Sequence, residues 1–223
     1  MTTTESERRA FERVVQLRAA PEGSSSPGTL VGYALTFNSL SRDLGGWFEV
    51  IDPEACGPVG EGGALDLERH FRVICRTNHD SNLLLGTTDA GTLRLFVDET
   101  GLRYEVDLPD TSAGRDAAVL AGRGDIRFSS FAFWVMPEGS EWEYDAEDRL
   151  VRRVKALRLS DVAPVADPAY WGSSVGLRDF DLDAIRASLR SEDQEETETA
   201  PDARAAVLGM ARYMQTEIER SHP

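Results

Sequence analysis

Two adjacent serines stand inside an apolar run, RFSSFAFWV, which covers residues 127–135. Successive side chains of a β-strand point to opposite faces, so Ser129 and Ser130 cannot both face the same site. A serine hydroxyl acts as a nucleophile when a base lies within hydrogen-bonding reach and nearby donors stabilise the oxyanion that forms. A lone serine in a strand is usually structural, and the residues alone leave both interpretations open.

Histidine is the residue that most often serves as such a base. The chain has three, His70, His79 and His222. His79 stands in TNHD, after an expected strand and before a turn, where neighbouring groups can hold the ring while it stays accessible. A histidine of a surface turn is the plainer interpretation. From the residues alone, the inference therefore ends at a candidate Ser/His pair.

Other chemistries lack the residues that they need. The chain has no Walker-type phosphate loop and no GxGxxG dinucleotide motif. Its histidines and cysteines do not stand at the spacing of a zinc site. Cys56 and Cys75 are interpreted as small core residues, since a disulfide is not implied in a reducing compartment. We therefore expect neither a cofactor nor a metal.

Size and charge narrow the class further. A chain of 223 residues, 41% of them hydrophobic, predicts one domain with appendages or two small domains at most. No apolar run approaches the roughly 18 residues that span a bilayer, and the first ten residues lack the apolar segment of a signal peptide. A soluble, intracellular protein without a membrane partner is expected. The net charge of −15 repels phosphate backbones, so we expect no nucleic acid partner either.

Apolar alternation and turn residues predict a body rich in β-strands, with one helix in the middle, at 111–124, which ends at glycines. Gly32, within a strand, indicates a bulge or a close backbone approach. Ala90-Gly91 predicts a hairpin turn. The expected strands cover 12–19, 29–37, 47–51, the beginning of 71–80, 83–88, 92–99, 101–109, 125–137 and 150–165. The predicted fold is a β-rich α+β fold, a mostly antiparallel β-barrel with a few surrounding helices.

Composition also divides the chain into five segments. The barrel domain is expected to cover 12–178. Residues 191–200 are strongly acidic and have no apolar side chain larger than alanine, which is typical of a linker. The segments in order are a flexible N-terminus at 1–11, the barrel at 12–178, a helix at 179–190, the acidic linker at 191–200 and a helical tail at 201–223.

Across residues 29–178, the order of motifs resembles that of the tailed-phage prohead maturation proteases. NHD is followed by LLLGT, by a strand that begins GLRYEV, by a short helix, by the serine strand, and by RLSDVAPVADPAY. That family has a His-Asp pair, a Leu-Gly turn, a Gly-Leu strand, a Ser-x-Gly-Phe strand and a strand with an acidic residue that ends near Pro-Ala. The family is similar in fold to the herpesvirus assembly proteases, which implies a β-barrel surrounded by helices.

The resemblance implies a Ser-His-acid site. His79 matches the catalytic histidine of the family. Ser130 matches the nucleophile, because it stands three residues before Phe133. Asp161 falls where the family has an acidic residue, and is the candidate to orient His79. Asp80 is the competing candidate, although its place beside His79 suits the capping of a turn.

The resemblance also implies a setting for the reaction. The protease would cut scaffold, the N-terminal region of the major capsid protein, or both, and also itself, inside the procapsid in the host cytoplasm. Its partners would be those substrates, while self-association is left open. The tail at 201–223 would be a targeting or scaffold-like segment. Backbone N–H groups would stabilise the oxyanion, with Arg127, Arg152 and Arg153 as candidate helpers.

A non-catalytic role is the alternative. Ala132 replaces the glycine that the family usually has two residues after the serine, and DVAPV replaces its usual acidic motif. An alanine there narrows the space beside the nucleophile. These departures are what a catalytically impaired, protease-like scaffold or capsid-assembly binding module would show, whereas the retention of His79 and Ser130 in register favours the enzyme.

Overall fold

The computed structural model describes residues 6–11, 14–166 and 180–199. Contacts divide the chain into two units, Met1–Phe180 and Asp181–Pro223. Short 3-10 turns in the first unit cover Pro53–Cys56, Glu61–Gly63 and Thr77–His79. The strands and helices are β1 (Glu7–Phe11), β2 (Gln16–Arg18), β3 (Thr29–Thr36), β4 (Phe48–Ile51), β5 (Ile74–Arg76), β6 (Leu84–Thr87), β7 (Leu93–Val97), β8 (Gly101–Asp107), α1 (Ser112–Arg123), β9 (Phe128–Val135), β10 (Ser140–Tyr144), β11 (Leu150–Val154), β12 (Leu157–Val165) and α2 (Leu182–Thr199).

The strands form three open sheets. Their orders are β1-β9-β12-β5-β6, β10-β11-β4 and β2-β3-β8-β7. The fold is β-rich, but the predicted barrel is wrong, because none of the three sheets closes on itself within the described ranges. The predicted barrel was mostly antiparallel, with short turns between its strands. Instead, β12 takes β5 as a parallel partner and β11 takes β4 as another, which divides the hydrogen bonding among separate sheets.

The predicted hairpin at Ala90-Gly91 shows how the pairing changes. The chain does turn there, with the N–H of Gly91 donating to the carbonyl of Thr88 at 3.0 Å and Gly91 at a φ of 69°. However, β6 pairs with β5, and β7 pairs with β8. The turn therefore carries the chain from one sheet to another. The single long strand expected at 150–165 is likewise two strands, β11 and β12, in different sheets.

Helix α1 confirms the helix predicted in the middle of the body. The Thr111 side chain accepts from the N–H of Gly114 at 3.3 Å and so caps the first turn. Gly124 ends the helix in the left-handed conformation, at a φ of 83°, which glycine adopts without strain. The helix leads directly into β9, the strand that carries the two serines.

The apolar core lies where the four-stranded sheet packs against the five-stranded sheet. Phe131 and Phe133 of β9 stack at 4.9 Å between ring centroids, and both are fully buried. Because side chains alternate along a strand, Ser129 shares this core face, whereas Ser130 and Ala132 face the other way. Other large members of the core are Leu30, Leu35, Leu102, Tyr104, Leu157 and Leu159.

The two ends of the described chain differ from the sequence expectation. Residues 7–11, for which the sequence suggested a frayed terminus, form β1 at the edge of the five-stranded sheet. In the second unit, α2 continues through 191–199, where the acidic run suggested a linker. The predicted tail at 201–223 lies outside the described residues. Neither described helix combines the length and apolar character needed to cross a membrane.

Candidate active site

Ser130, His79 and Asp161 lie in one hydrogen-bonded row. His79 Nε2 is 2.7 Å from Ser130 Oγ, and His79 Nδ1 is 2.6 Å from Asp161 Oδ1. An ionised carboxylate only accepts, so Nδ1 carries a proton and donates it to Asp161. The other ring nitrogen, Nε2, then faces the serine hydroxyl. The structure thus brings together all three residues that the sequence singled out.

A β-bulge in β12 places Asp161 on the same face as Ser130. Leu159 pairs with Phe133, but Asp161 pairs with Ala132, so Ser160 is an extra residue in the ladder. Directly paired residues share a face of a sheet. Without the bulge, strict alternation would place Asp161 beside Leu159 in the core. The bulge therefore turns the carboxylate from the core toward the serine.

A strained turn places His79. The 3-10 turn Thr77–His79 follows β5, which is the parallel neighbour of β12. Asn78 and His79 both have positive φ angles, of 53° and 57°. This conformation costs a non-glycine residue about 1–2 kcal/mol and tends to occur at functional sites. The Asn78 side chain accepts from the N–H of Ala166 at 3.1 Å, and so ties the turn to the segment after β12.

Arg76 holds the carboxylate from its other side. Its Nε lies 3.0 Å and its Nη2 lies 2.8 Å from Asp161 Oδ2. Both nitrogens contact the same oxygen, so Arg76 holds Oδ2 and leaves Oδ1 for His79. Sequence reasoning did not single out Arg76. Its signal is weak, because it is one of several arginines at the ends of strands, and only the parallel pairing of β5 with β12 places it beside Asp161.

The two competing candidates have other contacts. Asp80 Oδ1 accepts from the backbone N–H of Asn82 at 2.8 Å, so this carboxylate caps the turn. Ser129 Oγ lies 3.0 Å from the hydroxyl of Tyr104, on the core face of β9. Gly32 makes room for that pair, since a Cβ there would lie 2.7 Å from the Tyr104 hydroxyl oxygen. The predicted close approach at Gly32 is confirmed.

The three arginines considered for the oxyanion engage other groups. Arg152 contacts Glu7 at 2.8 Å, and Arg153 contacts Asp52 at 2.7 Å. The guanidinium of Arg127 lies over the ring of its neighbour Phe128, 4.9 Å from the centroid. None of these contacts is to Ser130 or His79.

Ala132 lies beside this row of hydrogen bonds without interrupting it. It is 2% exposed, and it pairs with Asp161 across the β9–β12 ladder. Its methyl group therefore shares the face of Ser130. The hydrogen bonds from Asp161 through His79 to Ser130 are complete with alanine at this position.

The row is closed to solvent. Ser130 is fully buried, Asp161 is 2% exposed, and the side chain of His79 is 5% exposed. Strand β1 covers the serine, and the carbonyl oxygen of Arg9 lies 2.8 Å from Ser130 Oγ. In this structure the hydroxyl of Ser130 thus contacts protein groups rather than solvent.

Both cysteines and the second histidine belong to the interior. Cys56 and Cys75 are buried free thiols, and burial raises the pKa of Cys56 to about 12 and also raises that of Cys75. His70 Nε2 lies 2.7 Å from the carbonyl oxygen of Cys56, and its Nδ1 accepts from the N–H of Leu159 at 2.9 Å. Across the described ranges, no group of three or more His, Cys, Asp or Glu side chains is placed to hold a metal ion.

The comparison with known families identifies one family. A family model described as caudovirus prohead serine protease matches residues 15–188, a range that contains all three residues of the row. Among solved structures, the chain is similar to the bacteriophage T4 capsid assembly protease, with 9% identity and a TM-score of 0.45, over 72% of this chain and 97% of that one. No curated protein matches the chain.

Proposed function

The chain belongs to the caudovirus prohead serine protease family, and we propose that it cuts peptide bonds with Ser130 as nucleophile, His79 as general base and Asp161 as the residue that orients the base. Membership supports a protease of phage capsid maturation. The observation that carries the assignment of residues is the unbroken row of hydrogen bonds, 2.6 Å from Asp161 to His79 and 2.7 Å from His79 to Ser130.

In the first half of the reaction, Ser130 Oγ attacks the carbonyl carbon of the scissile peptide bond. His79 Nε2 takes the hydroxyl proton, and the imidazolium that forms is stabilised by Asp161 through Nδ1–H. Arg76 holds the other oxygen of that carboxylate. The tetrahedral intermediate then collapses, and the leaving amine takes the proton from Nε2.

In the second half, water resolves the acyl-enzyme. His79 Nε2 takes a proton from the water, whose oxygen attacks the ester carbonyl, and the proton then returns to Ser130 Oγ as the acid product leaves. Both halves use the same nitrogen, so the orientation of one imidazole serves the whole cycle. This explains why two side chains, Asp161 and Arg76, fix that orientation.

The substrates proposed are scaffold, the N-terminal region of the major capsid protein, or both, and the chain itself. The setting proposed is the interior of the procapsid in the host cytoplasm, in keeping with membership of the family. We further propose that 201–223 directs the protease into the procapsid and that self-cleavage releases it. A chain lacking 201–223 that is incorporated normally would contradict this part.

Substitution of the nucleophile tests the assignment. Ser130→Ala, co-expressed with the capsid substrate, is expected to abolish cleavage, because removal of the nucleophile of such a site costs on the order of a 10⁶-fold drop in turnover. Ser129→Ala is the matched control, one residue away on the other face of β9, and retains activity. Normal cleavage by Ser130→Ala, seen as processed bands on a gel, would make the assignment wrong.

An acylating serine probe distinguishes the enzyme from an impaired, protease-like assembly module. Only a serine activated by a base reacts rapidly with such a probe. Mass spectrometry of the labelled protein should locate the adduct on Ser130, and His79→Ala should remove it. If the folded chain stays unlabelled even when β1 has been removed, the binding-module alternative is the better description.

A further inference from the structure

Strand β1 lies on the serine strand in the way that an extended peptide substrate would. It pairs antiparallel with β9, with Ala10 opposite Ser130 and Arg9 opposite Phe131. It is also the edge strand of its sheet, so its removal uncovers one side of β9. Proteins commonly bind an extended peptide by adding it as a strand to such an edge.

The backbone of β1 also holds the nucleophile in an unreactive state. Ser130 Oγ donates to the carbonyl oxygen of Arg9 at 2.8 Å, and it also lies 2.7 Å from His79 Nε2. A hydroxyl has one proton, which cannot be donated to both groups at once. While the carbonyl of Arg9 accepts that proton, the base does not, and the serine is not activated.

Two side chains of β1 enter a charged groove. Glu7 and Arg9 are two residues apart, and therefore share a face of the strand. Arg9 Nε lies 2.8 Å and its Nη2 lies 3.1 Å from the two carboxylate oxygens of Glu49. Arg152 Nη1 lies 2.9 and 2.8 Å from the two carboxylate oxygens of Glu7. The occupant thus presents one acidic and one basic residue to partners of opposite charge.

The groove partners belong to a different sheet and are fixed without β1. Glu49 is in β4 and Arg152 is in β11, and the two residues are directly paired across those parallel strands. Both are nearly buried, at 2% and 3% exposure, and only 3.4 Å separates Arg152 Nη1 from Glu49 Oε2. Buried charges are costly unless they are well paired, so the groove favours an occupant that pairs with both.

Aromatic rings form the wall around the basic residue. The guanidinium of Arg9 lies 5.8 Å from the ring centroid of Trp47 and 5.6 Å from that of Phe133. Cations bind favourably over such rings, and a planar guanidinium does so best. The indole N–H of Trp47 is buried, with no hydrogen-bond partner among the residues whose side chains are described. It is therefore a buried donor on a ring that lies close to Arg9.

We propose that this groove is the substrate-binding site of the protease, that it selects extended segments of the pattern acidic-x-basic, and that β1 is a built-in occupant that keeps the enzyme closed until it is displaced. The proposal rests on the function proposed above. The basic residue of the substrate takes the place of Arg9, so its carbonyl carbon is the one that Ser130 attacks. The bond that breaks is the peptide bond after that basic residue, whose nitrogen leaves with the proton from His79.

The double variant Glu7→Ala/Arg9→Ala tests the closure. The four charges of Glu7, Arg9, Glu49 and Arg152 sum to zero, and removal of both β1 charges leaves a neutral Glu49–Arg152 pair in the groove. We expect the acylating probe to label Ser130 about 10–100-fold faster in this variant than in the unchanged chain, because the variant loses the two charged side-chain pairs that hold β1 in the groove. Arg123→Ala is the control, because this exposed arginine of α1 pairs with Asp125 and lies in neither β1 nor the groove, and it should not change the labelling rate.

Peptide cleavage tests the selectivity. The substrates are a peptide containing Glu-Ala-Arg and one of the same composition containing Arg-Ala-Glu, each offered to the double variant. We expect kcat/KM for the first to exceed that for the second by about 10–100-fold, with cleavage after arginine. Glu49→Gln should reduce that preference. Equal rates for the two peptides, or a preference for the second, would overturn the proposed pattern.

The outcomes separate the two proposals. If Ser130 is labelled at the same rate in the unchanged chain and in the double variant, the serine is active and β1 does not close the site. If no variant is labelled at Ser130, the proposed function fails as well. A chain that lacks residues 1–11 removes the occupant and leaves the same neutral pair, so it replaces the double variant if that variant does not fold. Labelling of this shortened chain no faster than the full one would also overturn the closure.

Discussion

The candidate active site and the protein interior each contain a buried histidine and a buried serine, but the partners differ. In the site, His79 lies between a carboxylate and a hydroxyl, at 2.6 and 2.7 Å. In the interior, His70 lies between a backbone carbonyl and a backbone N–H, at 2.7 and 2.9 Å. Ser129 has Tyr104 as its partner, whereas Ser130 has His79.

This difference decides which histidine can move a proton. Neither a backbone carbonyl nor a backbone N–H exchanges a proton with imidazole, so His70 is held neutral, with its proton on Nε2. Burial lowers the pKa of His70 and raises that of Tyr104 well above its ordinary value, both in the direction that keeps the group uncharged. A buried histidine is thus a base only when its partners are a carboxylate and a proton donor.

Among the substitutions that test this difference between the site and the interior, the largest expected effect comes from removing the carboxylate, which would make the site resemble the interior. In Asp161→Asn, a neutral amide replaces the charged oxygen that accepts from Nδ1–H. The amide N–H can also donate to Nδ1, which favours the tautomer of His79 that carries its proton on Nε2 and cannot act as the base. We expect kcat to fall by about 10⁴-fold, as is typical of serine hydrolases that lose this acid. The measurement is the rate of peptide cleavage or of Ser130 labelling, with circular dichroism to show that the variant is folded.

Asp80→Asn is the matched control for that substitution. Asp80 is adjacent to His79 in sequence, but it accepts from Asn82 and caps the turn. Its asparagine variant keeps an oxygen that can accept the same bond, so activity should change little. A larger loss for Asp80→Asn than for Asp161→Asn would move the third position of the site to Asp80.

The interior histidine is expected to matter for stability instead. His70→Gln leaves the carbonyl of Cys56 or the N–H of Leu159 without its partner, which costs about 1–3 kcal/mol in the free energy of unfolding. Urea unfolding at pH 7 measures this cost. Cleavage per folded molecule should be unchanged, and a large loss of kcat in a fully folded His70→Gln would contradict the division between site and interior.

The pH dependence of stability gives His70 a second readout. Because burial lowers the pKa of His70, the unfolded chain binds more protons than the folded chain once the pH falls below the ordinary histidine value of about 6.5. Stability is therefore fully present above that pH and falls as the pH decreases toward the lowered pKa. The slope from this one group is at most about 1.4 kcal/mol per pH unit, and it should be absent from His70→Gln.

Local patterns predicted the parts of the molecule that local chemistry determines. Residue propensity and the special geometry of glycine account for three of these parts: the helix that ends at Gly124, the serine strand and the close approach at Gly32. The order of motifs also placed His79, Ser130 and Asp161 in register. Which strands pair with each other depends on residues far apart in sequence. For this reason the predicted barrel and the predicted hairpin at Ala90-Gly91 were wrong.

The alternation of apolar and polar residues could not predict two features of the site. The bulge at Ser160 reverses the face of Asp161, and simple alternation would have placed this carboxylate in the core. Strand β1 arises from a polar terminal segment whose charges suggest solvent exposure. Its charges are satisfied by Glu49 and Arg152, which are distant in sequence, so only the assembled sheets show that the segment has a binding site.

The smallest expected effect concerns the second serine. Ser129→Ala leaves the buried hydroxyl of Tyr104 without its hydrogen-bond partner, and should cost about 1–2 kcal/mol in the free energy of unfolding. Tyr104→Phe should cost a similar amount, because it leaves the hydroxyl of Ser129 unpaired. The double variant leaves neither group unpaired, so its cost should be smaller than the sum of the two single costs. Urea unfolding of the four proteins measures this coupling, and cleavage by the folded fraction should be the same in all four. Strict additivity of the two costs would mean that the hydroxyl pair contributes nothing, and a loss of activity confined to Ser129→Ala would mean that the core face of β9 takes part in the chemistry after all.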